Sequence, residues 1–175
     1  MQAFWWRVRN TLRHRPRGWK QELQRLAAVG LNAELRAVVR HPDGRVLDLG
    51  VVSRRVITTV GAAYVVDAFQ NLVELEAMNW HDSGTGNTAE SAGDTGLVAP
   101  GGPARVAGVQ SEVSSTVLRS IAVVTYTTTQ TIQEHGIFSG STGSVLLDRS
   151  VFTGIPVVNG SQIQFTWDLT VATGT

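Results

Sequence analysis

The chain has 175 residues, 42% of them hydrophobic and only 17% charged, which suits one cored domain with an appendage. It contains no cysteine, so disulfides, thiolate metal sites and a cysteine nucleophile are excluded, and no apolar run approaches the roughly 20 residues that cross a bilayer as a helix. The net charge of +1 conceals a division: residues 1–55 carry eleven Arg and one Lys against Glu22, Glu34, Asp43 and Asp48, a net +8, whereas residues 56–175 carry Arg105, Arg119 and Arg149 against ten acids, a net −7.

Such asymmetry predicts a basic arm, residues 1–33, that meets something negative: nucleic acid, a membrane surface or an acidic protein. Phe4, Trp5, Val8 and Leu12 share one face at helical spacing, with Arg7, Arg9 and Arg13 largely elsewhere. Pro16 and Gly18 end that helix, and a second one is expected from about Trp19 to Ala28, closed by Gly30. Arginines interrupt the apolar region that a signal peptide requires, while an Arg-rich, acid-poor start also fits an organellar transit peptide. The expected partner-binding residues are Trp5, Trp6, Arg7, Arg9, Arg13, Arg15, Arg17 and Trp19. They would pack on a protein partner or, alternatively, stack on bases and contact phosphates.

From residue 34 to 175 the pattern is that of a strand-rich body. Glu34–Arg40, a turn at His41-Pro42-Asp43-Gly44 and Arg45–Val52 predict a β-hairpin. Thr59 is placed to cap a short helix through Gly61–Gln70, ended by Asn71. Strands are expected at Ala104–Gln110, at Thr116–Tyr126 with a threonine-rich continuation to Gln133, and at Ser144–Phe152. The clearest is Gln162–Val171, where Ile163, Phe165, Trp167, Leu169 and Val171 alternate with polar residues. Asn159-Gly160 just before it reads as a two-residue hairpin turn. The fold class is therefore mainly β: an antiparallel sandwich, jelly-roll or immunoglobulin-like, with a basic helical arm and one short helix.

The stretch WHDSGTGNTAESAGDTGLVAP, residues 80–100, offers several chemistries. Asp82-Ser83-Gly84 and Asp94-Thr95-Gly96 both resemble an aspartic-protease signature, but two catalytic carboxylates must share a proton from matched loops. These two aspartates lie in one loop, and neither follows an apolar strand. A P-loop needs a lysine after its glycines, and the only lysine is Lys20. Gly84-Thr85-Gly86 lacks the helix that a dinucleotide fingerprint requires. Asp82, Asn87, Glu90 and Asp94 offer oxygen ligands without EF-hand spacing, and the four histidines lack zinc spacing, so no metal and no cofactor is expected. Asp82, Gly84, Gly86 and Asp94 are instead expected to order a surface loop by turns held by polar side chains, with glycines where φ is positive. Glu134-His135 and Asp148-Arg149 are expected to form an ion-pair cluster between neighbouring strands. No Gly-x-Ser-x-Gly frames a serine nucleophile, and no catalytic residue is assigned.

Gly84-Thr85-Gly86, Asp94-Thr95-Gly96-Leu97, Glu134-His135-Gly136-Ile137-Phe138 and Leu146-Leu147-Asp148-Arg149 through Phe152, followed by an alternating last strand, form an ordered series. Over about residues 50–172 this series resembles structural proteins of tailed-bacteriophage virions. The resemblance implies a non-enzymatic, capsid-associated subunit, a decoration, cement or minor head protein, homo-oligomeric and docked by its arm on the major capsid protein or other virion subunits. It implies assembly in the host cytoplasm and residence in the virion. A tail-tip or fibre component is the alternative, and a nucleic-acid-binding protein using the arm is the third.

Overall fold

A hairpin opens the described part of the chain. The computed structural model describes residues 30–172; both expected arm helices, and with them Trp5, Trp6, Arg7, Arg9, Arg13, Arg15, Arg17 and Trp19, lie outside the described residues. Strands β1 (Gly30–Arg40) and β2 (Val46–Ile57) pair antiparallel, and the turn between them closes with His41 N donating to Arg45 O at 2.9 Å. Gly44 supplies the positive φ of 85° that this turn needs. The strand starts earlier than the arm boundary at residue 33 suggests. Ala33 already stands opposite Arg55, and Gly30 opens β1 instead of closing a helix.

The remaining elements are α1 (Thr59–Phe69), β3 (Trp80–Gly84), β4 (Val106–Ala107), β5 (Val109–Ser114), β6 (Val117–Thr125), β7 (Gln130–Phe138), β8 (Leu146–Val157) and β9 (Gln162–Ala172). One sheet runs β2-β1-β9-β6-β5 and the other β4-β3-β7-β8, and the last residues of β2 join them by pairing Val56 with Arg149 and Ile57 with Asp148. The two antiparallel sheets pack face to face as a sandwich. Its core takes Leu35, Ala37 and Val39 from β1, Ile163, Phe165 and Trp167 from β9, and Ile132 and Ile155 from the opposite sheet. At about 1.5–3 kcal/mol per large buried side chain, this interior is the main drive to fold. The alternation of β9 is buried as expected through Trp167, is partly covered at Leu169 and has emerged to solvent at Val171.

Several local expectations change. Thr58, not Thr59, caps α1, its Oγ1 accepting from Gly61 N at 3.0 Å; the helix ends at Phe69, with Asn71 at φ 57° beyond it. The strand expected at Ala104–Gln110 divides at Gly108, because β4 and β5 belong to different sheets and the chain crosses between them there. The threonine-rich continuation after β6 is another crossing, with β7 starting at Gln130. Asn159-Gly160 is not a hairpin turn. It carries the chain from β8 in one sheet to β9 in the other, with Gly160 at φ 87°. These two crossings zip together: Gly160 N donates to Tyr126 O, and Tyr126 N donates to Ser161 O, both at 2.8 Å. Strand β8 runs five residues beyond the expected end at Phe152. Strand β3 was not expected at all; it pairs with β7 on one side and β4 on the other.

Candidate functional site

Strand β3 places the first half of the glycine-rich stretch. In its register with β7, Trp80 faces Phe138, Asp82 faces Gly136 and Gly84 faces Glu134. Since neighbours across a sheet share a face, Asp82, Gly84, Glu134 and Phe138 line one side. His81 and Ser83, opposite Ile137 and His135, line the side towards the core. Residues 85–105 then fold back over the outer side. The sheet is therefore covered on both faces here, and every residue of β7 from Glu134 to Phe138 is buried.

The outer side is organised by one carboxylate. Glu134 is 0% exposed and accepts backbone N–H bonds from Gly86 at 3.1 Å, Val98 at 3.0 Å and Ala99 at 2.7 Å. Its Oε2 also receives Arg149 Nε at 2.9 Å and Nη2 at 2.8 Å. Arg149, from the neighbouring strand, extends the network by donating to Asp94 Oδ2 at 2.9 Å and to Thr88 O at 3.1 Å. The expected ion-pair cluster across β7 and β8 is thus present for Glu134 and Arg149, and the loop is wound around it.

The loop glycines serve a different purpose from the one expected. Among the described residues the glycines at positive φ are Gly44, Gly50, Gly143 and Gly160, and none lies in this loop. Gly84 and Gly86 are needed because a Cβ there would lie 2.6 and 2.5 Å from Glu134 Oε1. Close approach of the backbone to a buried charge is the constraint.

The two aspartates are separated by this arrangement. Asp82 lies on β3, not in the loop, and binds Arg105 Nε at 3.0 Å; Arg105 also donates to Ser144 Oγ at 2.8 Å and lies 3.4 Å over the Phe138 ring. Asp94 binds Arg149. Burial tends to raise the Asp94 pKa, but the Ser91 N–H and the Arg149 guanidinium outweigh it and hold the carboxyl below its ordinary value. Each aspartate thus has its own arginine, and they share no proton. No grouping of three or more metal-ligating side chains occurs among the described residues.

On the core side lies a polar chain that the sequence did not single out. His81 Nε2 lies 2.8 Å from Ser120 Oγ, and His81 Nδ1 lies 3.0 Å from His135 Nε2. The first of these bonds spans the sandwich from β3 to β6. Ser83 Oγ and the Tyr126 hydroxyl form a parallel bridge at 2.9 Å. Burial lowers the His81 pKa to about 3 and, together with the neighbouring His81, carries that of His135 well below its usual value. Burial likewise raises that of Tyr126. Both rings are therefore neutral at pH 7, one tautomer fixing the other, and His135 Nδ1 is left without a hydrogen-bond partner. Gly108 permits this packing, since a Cβ there would lie 2.7 Å from His81 Nε2.

Serine, histidine and a second histidine in series have the order of nucleophile, base and orienting group. Here all three are 0% exposed, and no substrate reaches Ser120 without parting the sheets. The series ties β3, β6 and β7 together across the sheet interface. An open cleft of about 340 Å³ lies elsewhere, between β2 and β8, and is lined by Leu47, Leu49, Val51, Val52, Ile155 and Pro156 among others.

No protein-family model, no curated protein and no solved structure matches this chain. Geometry therefore carries the functional reading. The carboxylates of the glycine-rich stretch, Asp82 and Asp94, bind Arg105 and Arg149 and so hold the loop in place. The Glu134–Arg149 pair was legible as opposite charges in Glu134-His135 and Asp148-Arg149, which flank turn-like segments. That for His81 and Ser120 was hidden, because their pairing depends on which strands face each other.

Proposed function

We propose that the chain is a virion structural protein of a tailed phage, a capsid-associated subunit of the decoration, cement or minor head type, docked through its basic N-terminal segment. The observation that carries this reading is the sealed glycine-rich loop: its ionic groups bind one another in place of a ligand, which is the construction of a rigid surface. The sequence series from Gly84 to the last strand, similar in order to that of phage structural proteins, supplies the kind of assembly. The division between a basic front and an acidic body supplies the mode of attachment, since complementary potentials orient subunits and repeated copies multiply modest contacts.

Cryo-electron microscopy of particles carrying this chain tests the proposal. Density for the sandwich on the shell, with residues 1–30 against neighbouring virion subunits, is the expected result. Density at the tail tip or a fibre would replace the capsid reading with a receptor-contacting one centred on residues 85–103. Absence from the particle would overturn both.

A further inference from the structure

We propose that α1 and the segment following it form a seat for the basic, aromatic N-terminal segment of a second copy of this chain. Helix α1 is apolar on two sides. Gly61 and Tyr64 are turned to the body, whereas Val66 is 54% and Phe69 85% exposed, and beyond the helix Leu72 is 68% and Leu75 60% exposed. A surface helix normally has one apolar stripe, and a second, exposed one calls for a second partner.

This ridge is built, not loose. The Tyr64 hydroxyl donates to Glu74 O at 2.6 Å and accepts from Glu76 N at 2.7 Å, fastening the segment after the helix back onto it. The apolar side chains are accompanied by Asp67, Glu74 and Glu76, and between Val56 and Ala104 the sequence has no Lys or Arg to balance them. The complementary surface is a cationic segment with large apolar side chains at helical spacing. Residues 4–13, FWWRVRNTLR, have that composition, with Phe4, Trp5, Val8 and Leu12 in phase and Arg7, Arg9 and Arg13 beside them. Aromatic anchors in an apolar seat with charge complementarity around them are the usual carriers of binding energy. The choice of a neighbouring copy rests on the assembly reading above, because a subunit of a shell needs contacts between copies.

The test uses the full chain with a photoreactive benzoyl-phenylalanine in place of Trp5, prepared in ordinary and 15N-labelled forms, mixed and irradiated. Mass spectrometry of the digest is expected to show position 5 joined to residues 62–76 in mixed-isotope pairs. The exposed double substitution F69S/L72S is expected to lower that yield about tenfold, as loss of a central anchor does. Same-isotope pairs alone would place the segment on its own chain and overturn the proposal, as would cross-links confined to other surfaces or none at all. Particle location is read separately. A chain found in the shell without these cross-links keeps the assembly reading and loses this one, and cross-linking by a chain absent from particles does the reverse.

Discussion

Arg149 and Glu134 form an ion pair closed to water: two guanidinium nitrogens lie 2.9 and 2.8 Å from one carboxylate oxygen, and the side chains are 1% and 0% exposed. The charges were removed from solvent at a cost that only complete partnering offsets. Three loop N–H groups complete the shell of Glu134, so the order of the loop and the stability of the strand pair are one quantity.

Glu134→Gln keeps the shape and removes the charge, leaving Arg149 its bonds to Asp94 and Thr88 O. The expected loss is about 3–5 kcal/mol, the usual consequence of breaking a buried pair from one side. Urea denaturation measures it, and hydrogen exchange should show the amides of Gly86, Val98 and Ala99 exchanging faster. A loss below about 1 kcal/mol would mean that water reaches the pair as it reaches a surface pair.

Gly86 and Gly96 separate close approach from backbone conformation. A Cβ at Gly86 would sit 2.5 Å from Glu134 Oε1, whereas one at Gly96 meets nothing within 4 Å, and neither residue has positive φ. Gly86→Ala is expected to cost about 1–3 kcal/mol through overpacking, and Gly96→Ala to stay within about 0.5 kcal/mol of the parent. Equal losses in thermal or urea unfolding would restore the view that the loop glycines serve turns.

How much of this was legible depended on whether a strand kept one wet face. Strand β9 alternates because one side packs on the core and the other is polar, and its sequence states that directly. Strand β3 does not: His81 and Ser83 face Ser120 and Tyr126 in the core, while Asp82 and Gly84 lie under the loop, so WHDSG is polar on both sides and resembles a turn. Strand β7 loses its alternation from Glu134 to Phe138 because both faces are covered there. Asn159-Gly160 shows a different limit. A turn sequence specifies a reversal, and only the assembled sheets determine whether the next strand pairs with the previous one or crosses to the other sheet. The basic front and the Glu134–Arg149 pair could be read early because charge is visible in sequence; the Ser120–His81–His135 chain could not, because it joins residues from three strands and both sheets.

Arg119 and Asp168 provide a calibration on the same protein. They stand opposite each other on β6 and β9 and form a bidentate pair at 2.7 and 2.6 Å, but the arginine side chain is about one-third exposed. Solvent screens such a pair, so Asp168→Asn is expected to cost less than about 1 kcal/mol. It should also respond to salt more than Glu134→Gln does. Denaturation in low and high salt compares the two, and an equal cost would remove the distinction drawn here between sealed and open pairs.

The buried histidines set the acid limb of stability. His81 stays neutral in the folded protein down to about pH 3, whereas its ordinary value is 6.5. Between these values the unfolded chain binds more protons, so stability is fully present above the unfolded pKa and falls as pH drops below it, ceasing to fall below the folded one. The slope is about 1.4 kcal/mol per pH unit for His81 alone, and His135, shifted in the same direction, steepens it. The groups in contact with the pair are Ser120 and the Phe165 ring, neither of which becomes charged in this range. Asp94, held below its ordinary value, loses its contribution only below about pH 4. A decline between about pH 6.5 and 4.5 therefore belongs to the histidines. Urea unfolding at steps across that range should show it in the parent and a flatter profile in His81→Gln/His135→Gln; a parent stability that does not change over the range would mean that the histidines are protonated within the fold.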